Sequence, residues 1–176
     1  PSQDGVTIQY QDVGGNWKVF HNGVDENIIS LSKRHTYKCK GNEVFKVRFV
    51  GNFMSDHHLG AIEDICDAVI KLNSEGEQIC LELFGVQSPL NCSDVIQNNP
   101  YVMHRGTFCH DQKDEILAES HLLIIPFTFD ADKFEHYRLS FPTKVLESIA
   151  TGIPSLFYGP KGMGGIDFCL DKNISN

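Results

Sequence analysis

The segment His121-Leu-Leu-Ile-Ile125, which Pro126 ends, decides the predicted fold. Its apolar run is unbroken, as in strands that are buried on both faces of a parallel sheet. Four similar short runs lie at residues 44–50, 79–84, 101–104 and 154–158. Between them, helical patterns occupy residues 59–73, a short stretch from Ser88, a stretch from Asp111, and residues 142–150. Five strands that alternate with four helices predict an α/β fold with a doubly wound parallel sheet.

The predicted sheet begins well inside the chain. Residues 1–43 are expected to form an irregular lead-in or hinge, in which residues 6–11 alternate like an edge strand. Residues 44–176 are predicted to form one Rossmann-like domain, with a polar loop at 127–139. The chain starts at Pro1 and ends on a polar segment, so we expect a piece of a longer, two-domain protein.

The composition excludes several classes of protein. Fifteen basic and 23 acidic residues give a net charge of −8. This charge disfavours nucleic-acid binding, which depends on neutralising phosphates, but it allows one phosphorylated small molecule. No apolar run reaches the roughly 20 residues of a transmembrane helix. Six widely spaced cysteines without a CxxC motif indicate free thiols, and we expect a cytoplasmic protein.

In open parallel sheets, ligands bind beyond the carboxyl ends of the strands. The first candidate segment at that edge is Gly51-Asn-Phe-Met-Ser-Asp56. Gly51 lets the backbone approach a ligand closely, and the next helix offers free amides to an anion. The alternative is an ordinary turn between a strand and a helix.

The second candidate segment is Ser140-Phe-Pro-Thr-Lys-Val-Leu-Glu147. Ser140 and Thr143 place hydroxyls at a helix start, where free amides and the helix dipole favour phosphate. Lys144 adds a positive charge. Glu147 lies one turn after Thr143 and is suited to accept hydrogen bonds from ribose hydroxyls. A capped surface helix with a solvated lysine and glutamate explains the pattern equally well.

The third candidate segment is His104-Arg-Gly-Thr-Phe-Cys-His110. Its backbone groups and Phe108 are suited to frame a nucleobase. The alternative is a zinc site made of His104, Cys109 and His110. We disfavour zinc because neighbouring residues of an extended chain point to opposite faces.

No function is assigned to two other motifs in the sequence. The pair His57-His58 is predicted to lie on the surface at a helix start. The segment Gly162-Met-Gly-Gly165 is not expected to follow a strand and open a helix, so it is not interpreted as a dinucleotide-binding motif.

The order of these segments resembles a known family. The two most specific features are the turn Asn22-Gly-Val-Asp25 and the run Glu147-Ser-Ile-Ala-Thr-Gly-Ile-Pro154. Over roughly residues 19–165 the chain is similar to the C-terminal domain of GT-B-fold glycosyltransferases, more narrowly to the "glycosyl transferases group 1" family. The resemblance implies that this domain binds a nucleoside-diphosphate sugar and supports transfer of the sugar to an acceptor hydroxyl.

The resemblance also implies roles for single residues. Glu147 matches the carboxylate that holds the ribose, Gly51 the glycine beside the phosphates, and the loop that ends at Phe108 the base-binding edge. Leu139 and Asn52 stand where many members carry glutamate and arginine, so backbone amides, Lys144 and the nearby Lys133 or Arg138 are left to neutralise the diphosphate. No catalytic residue is assigned, and neither a metal nor another cofactor is expected. The implied donor-binding residues are Gly51, Asn52, Arg105, Phe108, Ser140, Phe141, Pro142, Thr143, Lys144 and Glu147.

The expected partners follow from the same resemblance. The acceptor would be a glycan or a lipid-linked molecule that an N-terminal domain binds, and a peripheral position of the whole protein at the inner face of a membrane is compatible with the expected cytoplasmic location. The alternative function is a non-catalytic Rossmann-like module that binds a nucleotide or regulates a partner. A flavodoxin-like or receiver domain is disfavoured because neither an acidic cluster nor a flavin loop is found at the strand ends.

Overall fold

The computed structural model describes residues 23–32, 43–53, 55–86 and 93–172. Five strands form one all-parallel sheet in the order β3-β2-β1-β4-β5. The predicted α/β, Rossmann-like doubly wound fold is therefore confirmed. The strands are β1 (Phe45–Val50), β2 (Ile79–Phe84), β3 (Val102–Gly106), β4 (Leu122–Pro126) and β5 (Ser155–Tyr158).

Helices connect the strands and cover the sheet. In chain order they are α1 (Glu26–Ser32), α2 (Ser55–Ser74), α3 (Asp94–Gln97), α4 (Lys113–Ala118), α5 (Ala131–Tyr137), α6 (Thr143–Thr151) and α7 (Gly164–Asp171). A single 3-10 turn, His110–Gln112, precedes α4. The strand order reverses between β1 and β4, and in folds of this type the reversal opens a crevice at the carboxyl ends of those two strands.

Each face of the sheet carries its own apolar core. Side chains alternate along β1 and β4, so Phe49 and Ile124 join the core beneath α2, whereas Val50 and Ile125 join the core beneath α6 and α7. This two-sided burial accounts for the unbroken apolar run of β4. Among the described residues, no helix has both the length and the apolar character that crossing a membrane requires.

The predicted loop at residues 127–139 is wrong, because the structure contains helix α5 there. Asp130 begins this helix, and its Oδ1 accepts a hydrogen bond from the amide of Asp132 at 3.0 Å. The segment is polar because one side of α5 faces solvent, and a polar composition alone does not distinguish an exposed helix from a loop. A capping aspartate followed by a charged helix start was the signal for the helix.

Two further elements differ from the sequence-based expectation. The segment at 162–165 does follow a strand and open a helix, since it lies between β5 and α7 with Gly162 at φ +92°. Within the predicted lead-in, α1 packs against α6 and α4, and Asp25 Oδ1 accepts the amide of Asn27 at 2.8 Å. The strand predicted at 6–11 and the helix predicted from Ser88 lie outside the described residues.

Candidate functional site

A cleft of about 330 Å³ lies at the carboxyl edge of the sheet, beside the end of β1. It brings together residues from all three candidate segments. The loop after β3 supplies one wall, and the first two turns of α6 supply another. The lining residues are Val50, Gly51, Phe108, His110, Lys113, Thr143, Lys144 and Glu147.

Glycines at the strand ends close the sheet beside this cleft. Gly51, Gly85 and Gly106 follow or end β1, β2 and β3, and their φ angles are +137°, +93° and +70°. The Gly51 amide donates to the carbonyl oxygen of Phe84 at 3.2 Å, and the Gly85 amide donates to Gly106 at 2.7 Å. A Cβ on Gly85 would lie 2.1 Å from the Gly51 carbonyl oxygen. The main chain at Gly51 therefore contacts the main chain at Gly85 directly, and no side chain fits between them.

The start of α6 lies at the same cleft, since Thr143 and Lys144 both line it. Pro142 precedes the helix in an extended conformation, with φ −63° and ψ 137°. Proline has no side-chain acceptor, so it leaves the amides of Thr143 and Lys144 uncapped, whereas the Val145 amide donates to the Pro142 carbonyl oxygen at 3.0 Å. The helix has nine residues, and its dipole adds a partial positive charge at this end. The predicted segment thus offers amides to an anion, although Pro142 and not Ser140 is the residue before the helix.

Lys144 places a cationic side chain beside the end of β1. Its Nζ donates to the carbonyl oxygen of Asn52 at 3.3 Å and lies 4.3 Å from the ring centroid of Phe49. A Cβ on Gly51 would lie 2.3 Å from Lys144 Cε, so the glycine makes room for this side chain. Burial lowers the pKa of Lys144 to about 8, and Lys113 adds to the shift, whereas Glu147 opposes it.

Glu147 is held by Lys113, which sequence reasoning missed. Lys113 Nζ donates to Glu147 Oε2 at 2.8 Å, and the two side chains are 19% and 24% exposed. Lys113 is the first residue of α4. The sequence signal for Lys113 was its position shortly after the third candidate segment, which ends at His110. The cleft therefore contains two lysines and one carboxylate.

A second cleft of about 250 Å³ adjoins the first and shares Thr143 and Lys144 with it. Three more of the predicted residues line this second cleft: Asn52, Ser140 and Pro142. Its wall is mainly apolar and includes Ile125, Pro126 and Tyr137.

The prediction of a surface pair at His57-His58 is wrong. These side chains are only 9% and 7% exposed. The His57 ring packs against Tyr137 at 4.3 Å between centroids, and the His58 ring packs against Phe49 at 5.3 Å. Burial lowers the pKa of His58 to about 2, with Lys144 and His57 contributing. His58 is therefore a neutral part of the wall and supplies no positive charge. The start of α2 is buried in the core, and the identity of the two residues as histidines does not predict this burial.

Two of the predicted donor-binding residues, Arg105 and Phe141, line neither the first nor the second cleft. Arg105 binds Glu82 through two nitrogens, one of them at 2.9 Å, in a separate pocket of about 400 Å³ that shares Phe108 with the cleft. Phe141 packs edge-on against Phe168, with 5.1 Å between ring centroids, and belongs to the core beneath α6.

The other two basic candidates are paired elsewhere. Lys133 lies 3.4 Å from Asp130, and Arg138 donates to Glu135 at 2.5 Å. Neither lines the first cleft, whose lysine and arginine side chains among the described residues are Lys113 and Lys144.

The pocket at Arg105 contains a buried ionic network. Arg48 donates to Glu82 at 2.5 Å, to the carbonyl oxygen of Ile116 at 2.5 Å and to Glu119 at 3.2 Å. Burial raises the pKa of Glu82, but hydrogen bonds from Arg105 and Arg48 outweigh it and hold the pKa below its usual value. Glu82 therefore stays charged, and it occupies the guanidinium group of Arg105.

Potential metal ligands are scattered through the described ranges of the chain. No three histidine, cysteine, aspartate or glutamate side chains come together there in a way that would hold an ion. The first cleft offers amides and ammonium groups to an anion, a carboxylate to hydroxyl groups, and the ring of Phe108 to a planar ring.

The chain matches no protein-family model and no curated protein.

Proposed function

We propose that the chain is the donor-binding domain of a GT-B-type glycosyltransferase, which binds a nucleoside-diphosphate sugar and supports transfer of its sugar to an acceptor hydroxyl. One observation carries this proposal: Lys144 and the α6 amides share a single cleft with the Glu147 carboxylate and Phe108. Phosphate, ribose and base are thus each matched by a group of suitable chemistry. The order of these groups agrees with the family resemblance of residues 142–154.

The diphosphate is assigned to the α6 start. Backbone amides at a helix N-terminus bind phosphate with the help of the dipole, and Lys144 adds an ammonium group. Gly51 has no side chain, so a phosphate can approach the backbone at the end of β1. Metal is not required in this arrangement, because fixed amides and a cation are aimed at the same charge.

The ribose and base are assigned to the far part of the cleft. Glu147 lies one turn along α6 from Thr143, which is a suitable distance for a ribose attached to the bound phosphate. Phe108 lines the same cleft, with its ring set edge-on to Phe84 at 6.2 Å between centroids. The adjoining cleft beside Asn52 and Tyr137 is left for the sugar.

The acceptor is assigned to a second domain, since the cleft lies at one open edge of the sheet. The acceptor glycan or lipid-linked acceptor would approach that edge, and the second domain would supply the groups that deprotonate its hydroxyl. No residue of this chain is assigned a catalytic role.

A second candidate is a module that binds a nucleotide without catalysis. The neutral state of His58 and the lowered pKa of Lys144 favour it, because both reduce the positive charge that would stabilise a nucleoside diphosphate as the leaving group of sugar transfer.

Calorimetric titration with UDP-, GDP- and CMP-sugars, and with the free nucleotides, tests the proposal. We expect one nucleotide-sugar to bind more tightly than its own nucleotide, because the sugar adds contacts in the second cleft. Equal affinity for the sugar-bearing and sugar-free forms would favour the non-catalytic module. Absence of binding to every compound would contradict both functions.

A further inference from the structure

The ion pair between Lys113 and Glu147 lies in the first cleft, and the proposed donor site gives Lys113 no role. The two residues come from different connections of the fold, α4 after β3 and α6 before β5. Their side chains meet with 2.8 Å between Nζ and Oε2, and both line the first cleft. The pair is half-buried on a floor of apolar residues that includes Val50 and Leu117.

The pair keeps hydrogen-bonding capacity for a ligand. An ammonium group has three N–H donors, and the contact with Glu147 uses one of them. Oε1 of Glu147 accepts no hydrogen bond from any residue that the structure describes. A free acceptor and free donors therefore stand side by side in the cleft.

This arrangement suits a neutral diol better than a phosphate. The carboxylate at 2.8 Å offsets the charge of Lys113 and would repel a phosphate placed on the pair. A vicinal diol presents two hydroxyl groups at the spacing of adjacent carbons. One hydroxyl can donate to Glu147 Oε1 while the oxygen of its neighbour accepts from Lys113 Nζ.

We propose that Lys113 determines specificity in the nucleotide site: with Glu147 it binds the ribose 2′,3′-diol and thereby selects ribonucleotides over 2′-deoxyribonucleotides. The inference rests on the proposed function. A merely structural role, in which the pair only ties α4 to α6, predicts the same loss of affinity for both kinds of nucleotide.

The test measures the calorimetric affinities of UDP, GDP and ADP and of their 2′-deoxy counterparts. The 176-residue chain is compared with Lys113→Met, Lys113→Arg and Lys71→Met, the last being an exposed lysine at the far end of α2. We expect a preference for the ribose form of about tenfold, the size of one charged hydrogen bond. Lys113→Met should reduce the preference to less than about twofold, Lys113→Arg should restore most of it, and Lys71→Met should match the parent.

Distinct outcomes separate this inference from the proposed function. If Lys113→Met keeps the parent preference, or weakens ribose and deoxyribose forms equally, the specificity role is wrong and the proposed function stands. If the parent chain binds none of the nucleotides, the proposed function fails and the specificity role fails with it. If Lys113→Met does not fold, Lys113→Gln and Glu147→Gln, which keep polar side chains of similar length, are measured in its place.

Discussion

Lys144 Nζ lies 4.3 Å from the ring centroid of Phe49 and 3.3 Å from the carbonyl oxygen of Asn52, just after β1. An ammonium group over an aromatic ring gains cation–π attraction, but here it also loses water. The loss of water dominates, because the pKa of Lys144 falls to about 8. The charge on which anion binding depends is therefore titrated in mildly alkaline solution.

Binding of a nucleoside diphosphate should weaken as the pH rises above about 8. An anion binds the protonated form of Lys144, and that form is lost as the pH passes the pKa of the free protein. We expect up to about tenfold loss of affinity per pH unit above that point, measured with UDP or GDP by calorimetry. Lys144→Arg should remove this dependence, since arginine stays charged, and a decline that persists in this variant would contradict the assignment.

Glu147→Ala should weaken nucleotide binding by about 1–3 kcal/mol, because it removes hydrogen bonds to a charged group. The measurement is calorimetric titration with the tightest-binding nucleotide-sugar. Glu75→Ala, at an exposed position after α2, is the matched control. An unchanged affinity in Glu147→Ala would exclude the carboxylate from the ribose site.

Gly85→Ala should destabilise the fold much more than Gly76→Ala does. Both glycines have positive φ, +93° and +102°, so both substitutions strain the backbone by about 1–2 kcal/mol. A Cβ at Gly76 meets nothing within 4 Å, whereas a Cβ at Gly85 would lie 2.1 Å from a carbonyl oxygen. The difference between the two variants in the free energy of unfolding, measured with urea, gives the steric cost at Gly85. Equal losses of free energy would disprove the close contact between the ends of β1 and β2.

Acidification should destabilise the chain through His58. Its pKa is about 2 in the fold and near 6.5 when unfolded, so only the unfolded chain takes up the proton below pH 6.5. Stability from this residue is complete above pH 6.5 and falls by about 1.4 kcal/mol by pH 5.5. Urea unfolding at pH 7.5 and 5.5 measures the loss, which His58→Gln should reduce. His136→Gln on the exposed side of α5 is the control, and an identical pH slope in His58→Gln would refute the prediction.

The buried pair of Arg48 and Glu82 should respond differently to single and double replacement. Arg48→Met leaves Glu82 buried beside Arg105 alone, and we expect a loss of about 3 kcal/mol in the free energy of unfolding. Arg48→Met combined with Glu82→Leu removes both buried charges and should cost less than the single change. Chemical denaturation provides the values, and a double variant that loses the sum of both single losses would show that the two side chains do not interact.

The sheet could be predicted from sequence because its signals are local. The apolar run of β4 and the glycines after β1 and β2 mark strands and their ends without reference to distant residues. The gathering of Gly51, Thr143, Lys144 and Glu147 followed from the rule that parallel strands share one carboxyl edge. All four line the same cleft.

The missed features depend on contacts across the chain. Lys113 and Glu147 are 34 residues apart, and no periodicity links them. Arg105 lies in a predicted segment, but Glu82 on the neighbouring strand determines where its guanidinium points. His57 and His58 carry polar rings that often lie on a surface, and only the packing of α2 against Phe49 and Tyr137 shows that they are buried.

The contact between Gly51 and Gly85 has a consequence for how this fold can vary among sequences. The edge of the site is made of main chain at these two positions, and main-chain groups are the same whatever side chains surround them. Positions such as 108, 113 and 147 can therefore change to suit another ligand while the edge itself keeps its shape. Proteins that share this architecture should be recognised by paired glycines after their first two strands, even where every charged residue of the cleft differs.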